Sequence, residues 1–164
     1  GRLPHQPAGS RELAEVHAQQ LDVLAPELAR RVRAVGDMLP SHLSGTPVLT
    51  HGDASPDQVL YEYSTGRIWL TDFDRVRLAP AAMDLGSYLA EAPSCQRHAL
   101  LEGYAAHRPV PGDEELGWAI ALSRLARLAD PLRRAHPSWR ERISADLTAI
   151  ERIARSPEKE AGWA

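Results

Sequence analysis

Residues 51–74, HGDASPDQVLYEYSTGRIWLTDFD, place two aspartate-bearing loops on either side of a short β-rich stretch. The preceding residues 46–50 (TPVLT) are typical of a short strand. The runs QVLYEY and RIWLT flank a Ser-Thr-Gly turn, which predicts a β-hairpin. A hairpin brings the start of its first strand close to the end of its second strand. We therefore expect the HGD loop and the DFD loop to meet at one edge of a small sheet.

The side chains of these two loops suit phosphoryl transfer, which needs positioning and charge neutralisation more than covalent chemistry. Gly52 permits the unusual backbone angles of a tight loop beside Asp53. Gln58 offers an amide oxygen and Asp72 offers a second carboxylate, and oxygen ligands of this kind suit Mg²⁺. The pattern predicts a catalytic base, Asp53, and two metal ligands, Gln58 and Asp72, in one cleft.

The composition is that of an ordinary globular domain, with 164 residues, 43% hydrophobic and 25% charged. A net charge of -3 argues against a nucleic-acid surface, and no apolar run approaches the ~20 residues that span a bilayer. A single cysteine, Cys95, excludes an internal disulfide and favours a reducing compartment, so we expect a cytoplasmic protein. Lys159 is the only lysine, so a mechanism that needs a lysine inside the fold is difficult for this chain.

Helical periodicity flanks the hairpin on both sides. The apolar stripe from Leu13 to Leu39 predicts a helix pair or one kinked helix, with Ser10 as the N-cap and a break at Pro26. From Ala81 onward we expect further helices, over residues 81–92, 95–107, 113–129 and 138–155. The predicted fold class is α+β, mostly helical, with one small sheet bearing loops at its edge.

Residues 49–90, LTHGDASPDQVLYEYSTGRIWLTDFDRVRLAPAAMDLGSYLA, resemble the aminoglycoside phosphotransferase and choline kinase group, relatives of the protein kinases. The catalytic loop of that group runs H-G-D-x-x-x-x-N and is followed by a hairpin, an I-D-[FW]-[DE] segment and a helix containing D-L. The resemblance implies an ATP-dependent, Mg²⁺-dependent kinase of a small-molecule hydroxyl group, built on the C-terminal lobe of a protein-kinase-like fold.

The resemblance also implies a role for each matching residue. Asp53 would be the catalytic base, and His51 would orient the loop rather than carry a proton. Asp72 would be the principal Mg²⁺ ligand, with Gln58 at the position of the second ligand. Asp84, in the D-L helix, would brace the catalytic loop by hydrogen bonding.

The sequence departs from the group in two ways. Gln58 stands where the group has Asn, and the extra methylene moves the amide oxygen outward by about 1.5 Å. Because Mg²⁺ demands near-ideal octahedral geometry, we expect a weaker second metal site or a bridging water. The residues before the HGD loop read as helix and contain no lysine, so the group's phosphate-covering loop and strand lysine have no counterpart. The chain therefore resembles the C-terminal lobe alone, with the N-terminal lobe upstream or in trans.

The resemblance divides the chain as follows: a linker or chain edge at residues 1–9, the kinase-like lobe at 10–155 and a polar tail at 156–164. Within the lobe we expect the catalytic loop at residues 50–58, the metal loop at 71–74 and a helical subdomain at 81–155.

The acceptor is the least determined part of the prediction. In this group, acidic residues on the C-terminal helices often hold a cationic acceptor, and the sequence offers Glu91, Asp113, Glu114, Glu115 and Asp130 as candidates. An aminoglycoside antibiotic, a choline-like amine, an amino alcohol, a sugar and a macrolide all remain open. Asp74 is either a metal-adjacent carboxylate or a surface partner of Arg75 or Arg77.

Two other functions fit parts of the sequence. The run IWLTDFDRV also matches the D-x-D-x-V motif of haloacid-dehalogenase-like phosphatases, in which Asp72 would be phosphorylated and Asp74 would act as acid and base. That mechanism also requires a lysine, and the only lysine of the sequence, Lys159, lies in the polar tail, which argues against a phosphatase. The Gln58 departure and the missing lobe favour a third function, a non-catalytic binding or regulatory module on the same lobe.

Overall fold

The computed structural model describes residues 9–159, so the predicted linker at residues 1–9 lies outside the described residues except for Gly9. The α-helices are α1 (Ser10–Leu21), α2 (Pro26–Met38), α3 (Ala82–Glu91), α4 (Ser94–Ala105), α5 (Asp113–Arg127), α6 (Asp130–Arg133) and α7 (Trp139–Arg155). The strands are β1 (Pro47–Thr50), β2 (Val59–Glu62), β3 (Arg67–Leu70) and β4 (Arg77–Pro80), and 3₁₀ turns cover Pro56–Gln58, Phe73–Arg75 and Pro157–Lys159. This is a mostly helical α+β fold with two small sheets. Within residues 9–159, no helix has the length and apolar character required to cross a bilayer.

The first two helices form the expected pair, and α2 begins at Pro26, where a missing backbone N–H costs nothing. The prediction that Ser10 is the N-cap was wrong, because Gly9 occupies that position. Ser10 is instead buried in the first turn, and its hydroxyl lies 3.2 Å from the carbonyl oxygens of both Gly36 and Leu39. Its role is therefore to join the start of α1 to the end of α2.

The strands form two antiparallel pairs, the expected hairpin β2–β3 and a second pair of β1 with β4. Strand β4 was not predicted, because the four residues RLAP are short and end in proline, which weakens any local strand signal. The pairing places Thr50, at the end of β1, opposite Arg77, at the start of β4. The Thr50 hydroxyl donates to the Arg77 carbonyl at 2.9 Å. The chain entering the HGD loop thus lies beside the chain leaving the DFD loop.

The core lies between the helices rather than against the sheets. Helix α5 is central and packs against α1, α3 and α7. A Cβ added at Gly86 of α3 would lie 2.4 Å from the Cβ of Ala119, so α3 and α5 approach almost to backbone contact. Pro157, at the start of the predicted tail, is buried against Gly117 of α5. This packing fixes α5, whose C-terminal end faces the HGD loop.

The β2–β3 hairpin projects from this core with its apolar side chains largely exposed. Ile68 is 67% exposed and Trp69 is 52% exposed. Leu60 and Leu70 are also more than half exposed. Exposed apolar side chains in this number are typical of a contact surface.

Candidate active site

The HGD loop is attached to α3 through Asp84. The Asp84 carboxylate accepts the backbone N–H of His51 at 2.7 Å and that of Gly52 at 2.9 Å. Hydrogen bonds to an ionised acceptor are stronger than neutral ones. The loop backbone is therefore held to the helix on the side away from Asp53.

His51 joins the two loops instead of facing solvent. Its Nε2 lies 2.7 Å from the Thr71 carbonyl oxygen, so Nε2 carries the hydrogen and donates. The ring packs against Phe73 with centroids 4.8 Å apart, and Nδ1 is buried without a hydrogen-bond partner among residues 9–159. The donor of the imidazole is thus engaged by a backbone carbonyl, and this hydrogen bond ties the HGD loop to the residue before Asp72.

Gly52 allows the HGD loop to touch the DFD loop. Its φ of +86° lies in the left-handed region, and an added Cβ would lie 2.0 Å from the Arg75 carbonyl oxygen. No side chain fits in that space, so the close approach of the two loops requires glycine.

Asp72 and Gln58 are in contact at the base of the hairpin, opposite its turn. Gln58 Nε2 donates to Asp72 Oδ2 at 3.3 Å, and Asp72 has a left-handed backbone (φ 62°, ψ 61°). The Thr71 hydroxyl lies 3.1 Å from Gln58 Oε1 and 3.2 Å from the Gln58 carbonyl oxygen. If the amide turns over, Oε1 faces Asp72 and Nε2 donates to the Thr71 hydroxyl, which still donates to the Gln58 carbonyl. Turning the amide thus exchanges its hydrogen bond to Asp72 for one to Thr71, and it leaves Oε1 beside the Asp72 carboxylate, an arrangement that suits a cation between the two oxygens.

Asp53 lies between two arginines that the sequence analysis did not single out. Arg127 Nη2 donates to Asp53 Oδ1 at 2.5 Å, and Arg75 Nη1 lies 3.2 Å from Asp53 Oδ2. Arg127 also donates to the hydroxyls of Ser87 (3.0 Å) and Ser123 (2.9 Å). Arg75 is 66% exposed and Arg127 21%, so Arg127 is the fixed partner and Arg75 the mobile one. No local signal marked Arg127, which is 74 residues from Asp53 in sequence.

The cleft in front of Asp53, about 550 Å³, brings together five of the predicted residues, namely Asp53, Gln58, Asp72, Glu91 and Asp130. Three of them are paired with arginine. Besides Asp53, Glu91 lies 3.0 Å from Arg127 Nη1, and Asp130 contacts Arg133.

Four further predicted acids do not line this cleft, namely Asp74, Asp113, Glu114 and Glu115. Asp113, Glu114 and Glu115 form the first turn of α5, where Glu114 accepts the indole N–H of Trp118 and partial burial raises the pKa of Glu115. Asp74 is exposed and makes no ion pair within residues 9–159. Its predicted pairing with Arg75 is not formed, because Arg75 bonds to Asp53.

The residues of the cleft suit a magnesium ion that is also coordinated by substrate phosphates. In the described part of the chain, no three His, Cys, Asp or Glu side chains are grouped as a metal site. Asp72 offers a carboxylate in the same cleft as Asp53, and the Gln58 amide beside it offers an oxygen to the same place once it turns over. Proteins usually bind Mg²⁺ with one or two carboxylates and complete the coordination with substrate phosphates and water. The donor set matches that kind of site rather than a closed protein cage.

Comparison with known families agrees with the sequence motif. A sequence model of the phosphotransferase enzyme family (APH) matches residues 1–119, which include both loops, the hairpin and α3. No curated protein matches the chain. The predicted resemblance to aminoglycoside phosphotransferases and choline kinases is thus confirmed at the level of the family, and the chain belongs to the phosphotransferase enzyme family.

Proposed function

We propose that this chain carries the metal-binding and acceptor-binding part of an ATP-dependent phosphotransferase that phosphorylates a small-molecule hydroxyl group. The observation that supports this most directly is the contact between Gln58 and Asp72 in the cleft that contains Asp53. Family membership supports the reaction class, and the loop geometry supports the division of roles.

In the proposed reaction, the acceptor oxygen forms a bond to the γ-phosphorus while the bond from that phosphorus to the ADP oxygen breaks. The hydroxyl proton passes to Asp53. A carboxylate has about four acceptor positions, and Arg75 and Arg127 use two, so Asp53 retains positions for the hydroxyl. Arg127 would hold the carboxylate in one orientation, which favours an in-line approach. Mg²⁺, held by Asp72 and Gln58, would neutralise phosphate charge.

The described residues supply no lysine near this cleft, because Lys159 lies in the 3₁₀ turn at Pro157–Lys159. In our proposal a separate lobe, upstream or in trans, covers the nucleotide phosphates. The exposed apolar hairpin is the surface it would contact. We place the activity in the cytoplasm, in accord with the single cysteine.

Calorimetric titration of the purified chain tests the proposal, first with ADP and Mg²⁺ together and then with Mg²⁺ alone. We expect Mg²⁺–ADP to bind and Mg²⁺ alone to bind weakly, since phosphates complete the coordination. Asp72→Asn should abolish Mg²⁺–ADP binding, whereas Asp37→Asn, the same charge change on the exposed side of α2, should leave it unchanged. Equal binding by the two variants would refute the assignment of Asp72.

A non-catalytic binding module is the second candidate, and one observation favours it. Both carboxylate oxygens of Asp53 are already bonded to arginine, as expected where a base has become a structural ion pair. If the chain binds a hydroxyl compound but no nucleotide, even when a nucleotide lobe is supplied in trans, this reading replaces the kinase. The phosphatase alternative would require beryllium fluoride to be trapped on Asp72.

A further inference from the structure

The acidic side chains of the cleft are largely neutralised by arginines of the same chain. Glu91 pairs with Arg127 at 3.0 Å, and Asp146 pairs with Arg124 at 2.8 Å. Asp130 is bonded to Arg133, three residues further along. An incoming ammonium group would have to displace a guanidinium at each of these positions. The acids that line the cleft are therefore poor sites for a polycation.

Two arginines on the rim of the same cleft have no such partner. Arg134 follows α6 and Arg142 lies in the second turn of α7, and both line the cleft with exposed side chains. Neither makes a side-chain hydrogen bond or ion pair within residues 9–159. Arg142 lies one turn from Asp146, but the Asp146 carboxylate is bonded to Arg124. The uncommitted charge at this end of the cleft is positive.

Asp57 and Asp72 are the cleft acids that make no ion pair within the described residues, and both lie at the loop end. Asp57 accepts the Ser55 hydroxyl within its own turn, and Asp72 contacts Gln58 at the proposed metal position. The cleft thus has a phosphate-and-metal end and an arginine end, with Asp53 and Arg127 also lining it.

We propose that the acceptor is an anionic hydroxyl compound, a polyol phosphate or a hydroxy acid, whose anionic group binds Arg134 and Arg142 while its hydroxyl faces Asp53. The inference rests on the proposed function, since it assigns the acceptor of that reaction. Guanidinium groups match the planar, bidentate geometry of carboxylate and phosphate oxygens. Two of them lining one cleft attract such a group and repel an ammonium.

Four probes that share the glucose ring separate the charge classes: glucose 6-phosphate, glucuronate, glucose and glucosamine. Their affinities are measured by ¹⁵N NMR titration of the chain at one ionic strength. We expect one of the two anions to bind at least about fivefold more tightly than glucose, and glucosamine to bind most weakly. The anion that binds more tightly shows whether the acceptor is a phosphate ester or a carboxylate.

The double variant Arg134→Gln/Arg142→Gln should lose the anion preference, whereas Arg30→Gln/Arg67→Gln, two exposed arginines outside the cleft, should keep it. The inference is overturned if glucosamine binds as tightly as the anions, if neither anion binds in the millimolar range, or if the two double variants behave alike. Mg²⁺–ADP binding to the unmodified chain is recorded on the same sample. Nucleotide binding without anion preference refutes the acceptor class alone, whereas the absence of nucleotide binding, even with a nucleotide lobe supplied in trans, refutes the proposed function.

Discussion

Replacing Gly52 with alanine tests whether contact between the HGD and DFD loops organises the site. Two costs add at this position. The left-handed backbone, at φ +86°, costs an alanine about 1–2 kcal/mol. The new Cβ would also lie 2.0 Å from the Arg75 carbonyl oxygen and 2.8 Å from its carbon. These are backbone atoms, so the loops themselves must separate.

Gly66 provides the matched control, because its φ of +70° is also left-handed but its added Cβ meets nothing closer than 3.9 Å. Gly66→Ala should therefore cost the backbone term alone, about 1–2 kcal/mol. Gly52→Ala should cost a further ~1–3 kcal/mol, the usual range for forcing atoms into a packed site. For a domain of this size, each kcal/mol lowers Tm by about 2–4 °C.

Urea denaturation of both variants measures the difference, with equal m-values as the check that the unfolding transition is the same. Gly52→Ala should also weaken Mg²⁺–ADP binding, whereas Gly66→Ala, in the hairpin turn, should not. The reasoning fails if the two variants are equally stable within about 0.5 kcal/mol, because the backbone overlap would then carry no cost.

Three further predictions concern the supports of the site. Gly86→Ala should destabilise the fold by about 2 kcal/mol or more, since its Cβ would lie 2.4 Å from that of Ala119. Gly103→Ala, in open space on α4, should instead stabilise the fold by about 0.5–1 kcal/mol. If urea unfolding shows that both variants change the free energy of unfolding in the same direction, the α3–α5 contact is contradicted. Asp84→Asn should lower the free energy of unfolding by about 2–3 kcal/mol, because one of the two loop N–H groups would then face an amide NH₂. A decrease below about 0.5 kcal/mol in the same assay would mean that Asp84 does not hold the loop. Burial, assisted by a nearby arginine, lowers the pKa of His17 in the folded state, so the unfolded chain takes up the proton first and stability falls as pH drops below about 6.5. Thermal unfolding between pH 7.5 and 5 should therefore show a smaller fall in Tm for His17→Leu than for the unmodified chain. An identical fall in Tm would exclude His17 as a contributor.

The family and the local elements were readable from the sequence because their signals are local. The HGD loop, the hairpin and the DFD segment lie within residues 51–74, and the turn residues and alternating apolar residues between them identify the hairpin directly. The family match over residues 1–119 confirms the resemblance that these motifs carry. The helix pair separated at Pro26 was likewise predictable, because the ring of proline disrupts the preceding turn.

Tertiary structure decided the electrostatics of the cleft. Arg127, on α5, reaches Asp53 through the packing of the helices, and no local pattern connects residues 74 positions apart. In the same way Glu91, which the sequence offered as a ligand for a cation, is committed to Arg127. Charge along a sequence gives the number of acids and bases, but which of them neutralise each other depends on distances of a few ångströms that only the packed helices set. The sequence by itself determined the family and which loops meet, and the fold determined which charged side chains neutralise each other.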